Sequence, residues 1–111
     1  MLGEFEYLII TAAAYLGENA YSAAIRDEIV RATGSKCSIG ALYTTVDRLE
    51  TKGLVKTRMG EATPERGGRA KRMIQVTAEG VRVAEHFYSA VKRLTRNVSW
   101  APRQLRVTLC R

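Results

Sequence analysis

Residues 38–76 read SIGALYTTVDRLETKGLVKTRMGEATPERGGRAKRMIQV, and this stretch decides the fold. Ser38 is a good helix N-cap, because its hydroxyl can accept from an unpaired amide of the first turn. Ile39, Leu42, Val46 and Leu49 follow at helical intervals and predict one core-facing stripe on a helix from Ile39 to Lys52. Gly53 ends that helix. Leu54 to Met59 then reads as a strand, with Leu54, Val55 and Thr57 set against Lys56 and Arg58 pointing the other way, and Lys71 to Val76 is its expected partner. Between them, Pro64 and the Gly67-Gly68 pair make Gly60–Ala70 a loop. It is long for a hairpin, and long loops in compact domains are usually functional or mobile. Helix, tight turn, strand, glycine- and arginine-rich tip, strand is the order of a recognition helix followed by a wing, in a winged helix-turn-helix.

Upstream, the spacing predicts a helix from Glu4 to Leu16, ended by Gly17. Phe5, Leu8, Ile9, Ala12, Ala13 and Leu16 form one apolar stripe, and Tyr7, Ile10 and Ala14 add a second side. A helix apolar on two sides needs two partners. One is its own core; the other is a second subunit, with Phe5, Leu8 and Ile9 as candidate contacts. A second helix is expected from about Tyr21 to Thr33-Gly34, with Ser22 as a cap and Ile25, Ile29 and Ala32 on its inner face. Arg26, Asp27, Glu28 and Arg31 read as its solvated side.

Downstream, Thr77 caps a last helix running to Thr95, and Glu79 suits the dipole of its first turn. Val81, Ala84, Phe87 or Tyr88, Val91 and Leu94 recur every three to four residues, and Val98 extends the seam. At about 1.5 Å per residue such a helix reaches roughly 28 Å, too long to bury on so small a core. The seam fits a dimerisation helix with a short coiled-coil-like contact; packing on its own domain is the alternative. Pro102 and the arginines Arg96, Arg103, Arg106 and Arg111 suggest a weakly ordered basic end. The expected division is a winged helix-turn-helix over 1–76, a dimerisation helix over 77–98 and a basic tail over 99–111. The fold class is mainly α with a two-stranded β wing.

The 111 residues carry 18 Lys and Arg against 11 Asp and Glu, a net charge of +7, which points toward a polyanion. No apolar run approaches the roughly 18 residues that span a bilayer. Glu4 and Glu6 break the opening stretch, unlike a signal peptide, so a cytoplasmic protein without a membrane partner is expected. Cys37 and Cys110 lie far apart without CxxC spacing, and His86 is the single histidine. Zinc would need three or four suitable ligands, so no metal or cofactor is expected. Both cysteines read as reduced thiols, with redox sensing as the less favoured alternative. His86 has no nucleophile or carboxylate constellation around it, and no nucleotide-binding loop occurs, so the chain does not read as an enzyme.

The basic residues are well placed for DNA. Seven lie between positions 52 and 72: Lys52, Lys56, Arg58, Arg66, Arg69, Lys71 and Arg72, opposed by Glu61 and Glu65. A tip with two glycines lets arginine approach a narrow minor groove. The polar face of the third helix carries Gly40, Tyr43, Thr44, Asp47, Arg48 and Thr51, with small groups where it would enter a groove. Tyr43 could reach a phosphate or a thymine methyl, or pack sideways on the turn at Ser35–Ser38. Arg48 could contact phosphate or pair with Glu50, Asp47 or the wing.

Ser38-Ile-Gly-Ala-Leu-Tyr-Thr-Thr-Val-Asp-Arg-Leu-Glu-Thr-Lys-Gly-Leu-Val55, Thr63-Pro-Glu-Arg-Gly-Gly-Arg-Ala-Lys-Arg72 and Val76-Thr-Ala-Glu-Gly80 together resemble the PadR family of bacterial transcription regulators. Leu2-Gly-Glu-Phe-Glu6, Ala20-Tyr21 and Ile25 are similar too, and the likeness runs to about Thr95. The short C-terminus resembles the subgroup with one C-terminal helix. The resemblance implies a homodimer that represses at palindromic promoter sites, often relieved by a small effector or stress signal. It implies that Ser38, Gly40, Tyr43 and Thr44 face the major groove, that Arg66, Gly67 and Arg69 serve the wing, and that Lys71 meets a flanking phosphate. At Ser22-Ala23 the chain departs from the family's glycine and aromatic. The rival function is a winged helix that docks an acidic protein surface.

Overall fold

The computed structural model describes residues 2–60 and 71–101. Helix α1 spans Glu4–Leu16, a single 3-10 turn Gly17–Asn19, helix α2 Ser22–Thr33, helix α3 Ile39–Thr51, strand β1 Val55–Met59, strand β2 Arg72–Val76 and helix α4 Ala78–Thr95. Among the described residues the chain is mostly helical with one antiparallel pair of strands, the expected fold class.

The three N-terminal helices close on one core. Ile9 and Ile10 of α1, Ile25 of α2, and Leu42, Val46 and Leu49 of α3 are fully buried, with Val55 of β1 beneath them. Ile9 was expected at a subunit contact. It lies instead at 0% exposure inside the protomer's own core, because both sides of α1 are used by α2, α3 and the sheet. Phe5 and Leu8 are half-buried against the same cluster. Ala14 is exposed, so the second apolar side of α1 is narrower than its sequence suggests.

Two other core expectations are corrected. Ile39, the first residue of α3, lies at the rim of the core and is 37% exposed, and Ala32 is exposed near the end of α2. Ser22 does not cap α2: Tyr21 is the N-cap residue, and Ser22 is the first helical residue, buried with its hydroxyl oxygen unpartnered among the described residues. Between α2 and α3 the Arg26 Nε donates to the Cys37 carbonyl at 3.0 Å, so this arginine ties the turn and is not merely solvated.

Ser38 caps α3 as expected, its Oγ accepting from the Ala41 amide at 3.0 Å. Gly53 takes φ 79°, a left-handed turn that L side chains rarely adopt, and this turns the chain from α3 directly into β1. In the sheet Val55 pairs with Val76, Thr57 with Ile74 and Met59 with Arg72, while Lys56 pairs with Gln75 and Arg58 with Met73 on the other face. The far edge of β2 is also used. The Ile74 amide donates to the Ala20 carbonyl at 2.8 Å, and Tyr21 bridges to Met73. The α1–α2 link thus anchors the wing to the helical body.

Thr77 serves two elements. Its Oγ1 accepts from the Gly80 amide at 3.0 Å and donates to the Gly53 carbonyl at 2.8 Å, so the cap of α4 also holds the turn that ends α3. The first half of α4 packs on α1, with the Tyr7 and Phe87 rings 4.9 Å apart. Phe87, rather than Tyr88, therefore faces the protomer. Val81, Tyr88, Val91 and Leu94 remain exposed, Leu94 at 80%.

Candidate nucleic-acid interface

The outward side of α3 is built from residues that the core does not use. Gly40, Tyr43, Thr44, Asp47, Arg48 and Thr51 are all exposed. Gly40 is informative: its φ is not in the left-handed region, and a Cβ built there would meet nothing within 4 Å. The fold does not require this glycine, although glycine inside a helix costs about 0.5–1 kcal/mol relative to alanine. The Thr44 hydroxyl donates to the Gly40 carbonyl at 3.1 Å, and that of Thr51 to the Asp47 carbonyl at 3.0 Å. Each keeps oxygen lone pairs free to accept. The Ser38 Oγ accepts from Ala41, which leaves its proton available to an anion at the start of α3.

Ser38, Gly40, Tyr43 and Thr44 thus share one solvent-facing surface on the first half of α3. Arg48 lies one turn beyond Thr44, exposed, and its side chain makes no hydrogen bond or ion pair among the described residues. Of the two readings of Arg48, pairing with Asp47 or Glu50 is not made, and the tip of the wing lies outside the described residues. The Arg72 guanidinium lies over the Tyr43 ring, 5.6 Å from the centroid. Lys71 is half-buried with its ammonium 4.1 Å from the Tyr21 ring centroid, so the β2 edge steers it. Arg66, Gly67 and Arg69 lie outside the described residues.

The carboxylates of α3 are partners of the wing, a pairing that the sequence alone does not reveal. Arg72 Nη2 is 2.7 Å from Asp47 Oδ1 and 3.7 Å from Glu50 Oε1. The Glu50 Oε2 accepts from the Thr57 amide and hydroxyl at 3.3 and 2.9 Å. Arg72 had read simply as one of seven basic residues for DNA, and nothing local to position 72 marks Asp47 as its partner.

His86 is exposed on α4. Among the described residues no group of three or more His, Cys, Asp or Glu could hold a metal ion. Cys37 is half-buried, and burial pushes its thiol pKa up, with the Arg26 charge opposing only in part. That disfavours the thiolate a redox sensor needs. Cys110 lies outside the described residues. An open groove of about 810 Å³ runs between the end of α1, the sheet and Val81, and meets the exposed seam of α4 at Val81 alone. Among the described residues no helix is long and apolar enough to cross a membrane.

This architecture has close counterparts. The chain is 28% identical to hsRosR in the complex structure of hsRosR-S1, covering 98% of this chain and 88% of that one with a TM-score of 0.65. A PadR family transcriptional regulator from Eggerthella lenta is 24% identical over 80% of this chain and 75% of that one, with a TM-score of 0.64. F93 from STIV, a winged-helix DNA-binding protein, is 20% identical over 82% of this chain and 90% of that one, also with a TM-score of 0.64. No curated protein matches the sequence. The profile of the transcriptional regulator PadR-like family matches residues 14–86, a span that takes in the end of α1, the whole of α2, α3 and the wing, and the start of α4. With that match and the winged-helix geometry in agreement, the chain belongs to the PadR-like family of transcriptional regulators.

Proposed function

We propose that this protein is a cytoplasmic, sequence-specific DNA-binding repressor that acts as a homodimer. The observation that carries the reading is the outward side of α3: Gly40, which the fold does not need, flanked by exposed Tyr43 and Thr44, with basic strands next to it in a chain of net charge +7. α3 enters the major groove with Gly40 allowing close approach. Tyr43 and Thr44 meet base edges or the thymine methyl, and Ser38 and Arg48 meet phosphates. The wing lies along the adjacent minor groove, with Arg66, Gly67 and Arg69 at its tip and Lys71 at its base on a flanking phosphate.

The exposed stripe Val81, Tyr88, Val91 and Leu94 supports pairing through α4, with Ala84, Phe87 and the α1 residues Phe5 and Leu8 at its margin. A two-fold dimer presents two α3 helices about 34 Å apart, so its site is a pseudo-palindrome with half-sites about 10 bp apart. Release by a small effector or stress signal completes the reading.

Selection of bound duplexes from a random-sequence pool tests it. Enrichment of a two-fold-symmetric site is the expected result. Retention without sequence enrichment, or no retention in dilute salt, would favour the docking of an acidic protein surface instead.

A further inference from the structure

Arg72 stands at the start of β2, paired with Met59 of β1, with only 21% of its side chain exposed, and among the described residues the groups its guanidinium meets are those of α3. Asp47 takes its Nη2 at 2.7 Å, Glu50 lies at 3.7 Å, and Tyr43 lies under its guanidinium. Glu50 in turn holds Thr57 on β1 through two hydrogen bonds. Three successive positions on one side of α3 are thereby tied to both strands of the wing. Planar guanidinium is suited to this, since it can donate to a carboxylate while its face covers a ring. The cluster also settles an electrostatic problem. Asp47 and Glu50 are exposed carboxylates on the element that would approach a polyanion, and each would repel phosphate unless neutralised.

We propose that Arg72 is a positioning residue for DNA recognition: it neutralises Asp47 and Glu50 and fixes Tyr43 and α3 at a set angle to the wing, and does not itself contact phosphate. The inference rests on the DNA-binding reading above. It separates the basic residues of the wing into two kinds. Lys56 and Arg58 are exposed on the other face of the sheet and have no ion pair among the described residues, whereas Arg72 is paired within the protein.

The test uses full-length protein, a duplex that the wild type has selected from a random pool, and a scrambled duplex of the same composition. Binding is measured against salt for wild type, Arg72→Ala, Asp47→Ala and the double variant. Arg72→Ala should lower the preference for the selected duplex about tenfold while leaving the slope of log affinity against log salt unchanged. Adding Asp47→Ala to Arg72→Ala should cost no further preference, because the two act as one unit. A phosphate contact would behave differently: the slope would become shallower by about one and preference would hold, and that result overturns the proposal. Additive losses from the two substitutions overturn it as well. Should circular dichroism show Arg72→Ala unfolded, Arg72→Lys keeps the charge but loses the planar contact. Reduced preference at constant slope is then expected, and unaltered preference counts against the brace. A wild type that prefers no duplex removes the DNA-binding reading itself and this inference with it, an outcome distinct from a selective wild type whose Arg72 variants change only the salt slope.

Discussion

Lys52, at the end of α3, places its ammonium 2.8 Å from the carboxylate of Glu6, which lies 46 residues earlier in the first turn of α1. Glu6 is only 8% exposed, and its other oxygen accepts from the Gly3 amide at 2.8 Å. The pair fastens the start of the chain to the point where the recognition helix gives way to the wing. Burial pushes the Glu6 pKa up and is the largest single influence. The hydrogen bonds from Lys52 and Gly3, with the charges of Lys52 and Arg48, together outweigh it and hold the carboxyl below the usual glutamate range. A carboxyl whose pKa is lower folded than unfolded stabilises the fold above its unfolded pKa, and that stability is lost as pH falls through the folded value. Denaturant midpoints measured from neutral to acid pH should therefore fall more steeply for wild type than for Glu6→Gln. At neutral pH the variant should be less stable by about 1 kcal/mol, the half-exposed lysine keeping the effect small. Parallel pH profiles for the two proteins would show that Glu6 does not carry the linkage.

Gly80 makes a second prediction, for a different reason. It sits in the first turn of α4 under the Leu54 carbonyl, and a Cβ there would collide with that oxygen and come within 2.8 Å of Val76 Cγ1. Backbone cannot yield as a side-chain tip can, so Gly80→Ala must lift α4 from the sheet or bend the turn. A loss of about 1–3 kcal/mol is expected, typical of forcing atoms into a packed site, and thermal unfolding measures it. Gly40→Ala is the control with a Cβ in open space; if Gly80→Ala melts no lower than that control, the close approach of α4 to Leu54 is not a constraint.

These residues also mark what could be read from the sequence. Ser38, Gly53 and Thr77 act locally: a hydroxyl meets an amide three residues on, or a glycine turns the chain. The boundaries of α3 and α4 were therefore legible within a residue or so. The periodicity of Leu42, Val46 and Leu49 likewise placed the core face. What failed depends on distant partners. Glu6 on an apolar helix makes sense only with Lys52, and nothing local to Arg72 marks Asp47 and Glu50 as its partners. Ile39 obeys the spacing of a core residue, yet spacing cannot tell that the start of α3 sits at the rim of the core, where Ile39 stays 37% exposed. The bridge from Tyr21 to Met73 is one residue long and has no alternation to read. On the outward side of α3, Gly40, Tyr43 and Thr44 were legible as a surface because the core stripe excludes them.

The exposed seam of α4 gives a prediction on assembly. Tyr88, Val91 and Leu94 show apolar surface along the second half of a helix that packs on α1 through Phe87. A pair of such helices would bury these side chains at about 25 cal/mol per Å² removed from water. Leu94→Asp combined with Val91→Asp should convert a dimer to a monomer in light scattering, leaving the helical signal of the winged domain intact. A wild type already monomeric at micromolar concentration would remove the dimer from the proposed function.

Gly40 gives the sharpest separation of fold from function, because the two should move in opposite directions. In the free protein a methyl group at this position meets only solvent. Replacing glycine by alanine inside a helix reduces the freedom of the unfolded chain, so Gly40→Ala should raise stability by up to about 0.5–1 kcal/mol. In the complex the same position is proposed to face the floor of a groove, where added bulk holds the helix off. DNA affinity should therefore fall for Gly40→Ala and fall further for Gly40→Leu, while the melting temperature of Gly40→Ala does not drop. Tyr43→Ala and Thr44→Ala should instead change which duplexes are preferred, because they remove contacts to base edges without adding bulk. Arg48→Ala should weaken all duplexes alike and make the salt slope shallower by about one. Unchanged affinity in Gly40→Leu would mean that this side of α3 does not approach DNA, and the groove assignment of Ser38, Tyr43 and Thr44 would fall with it.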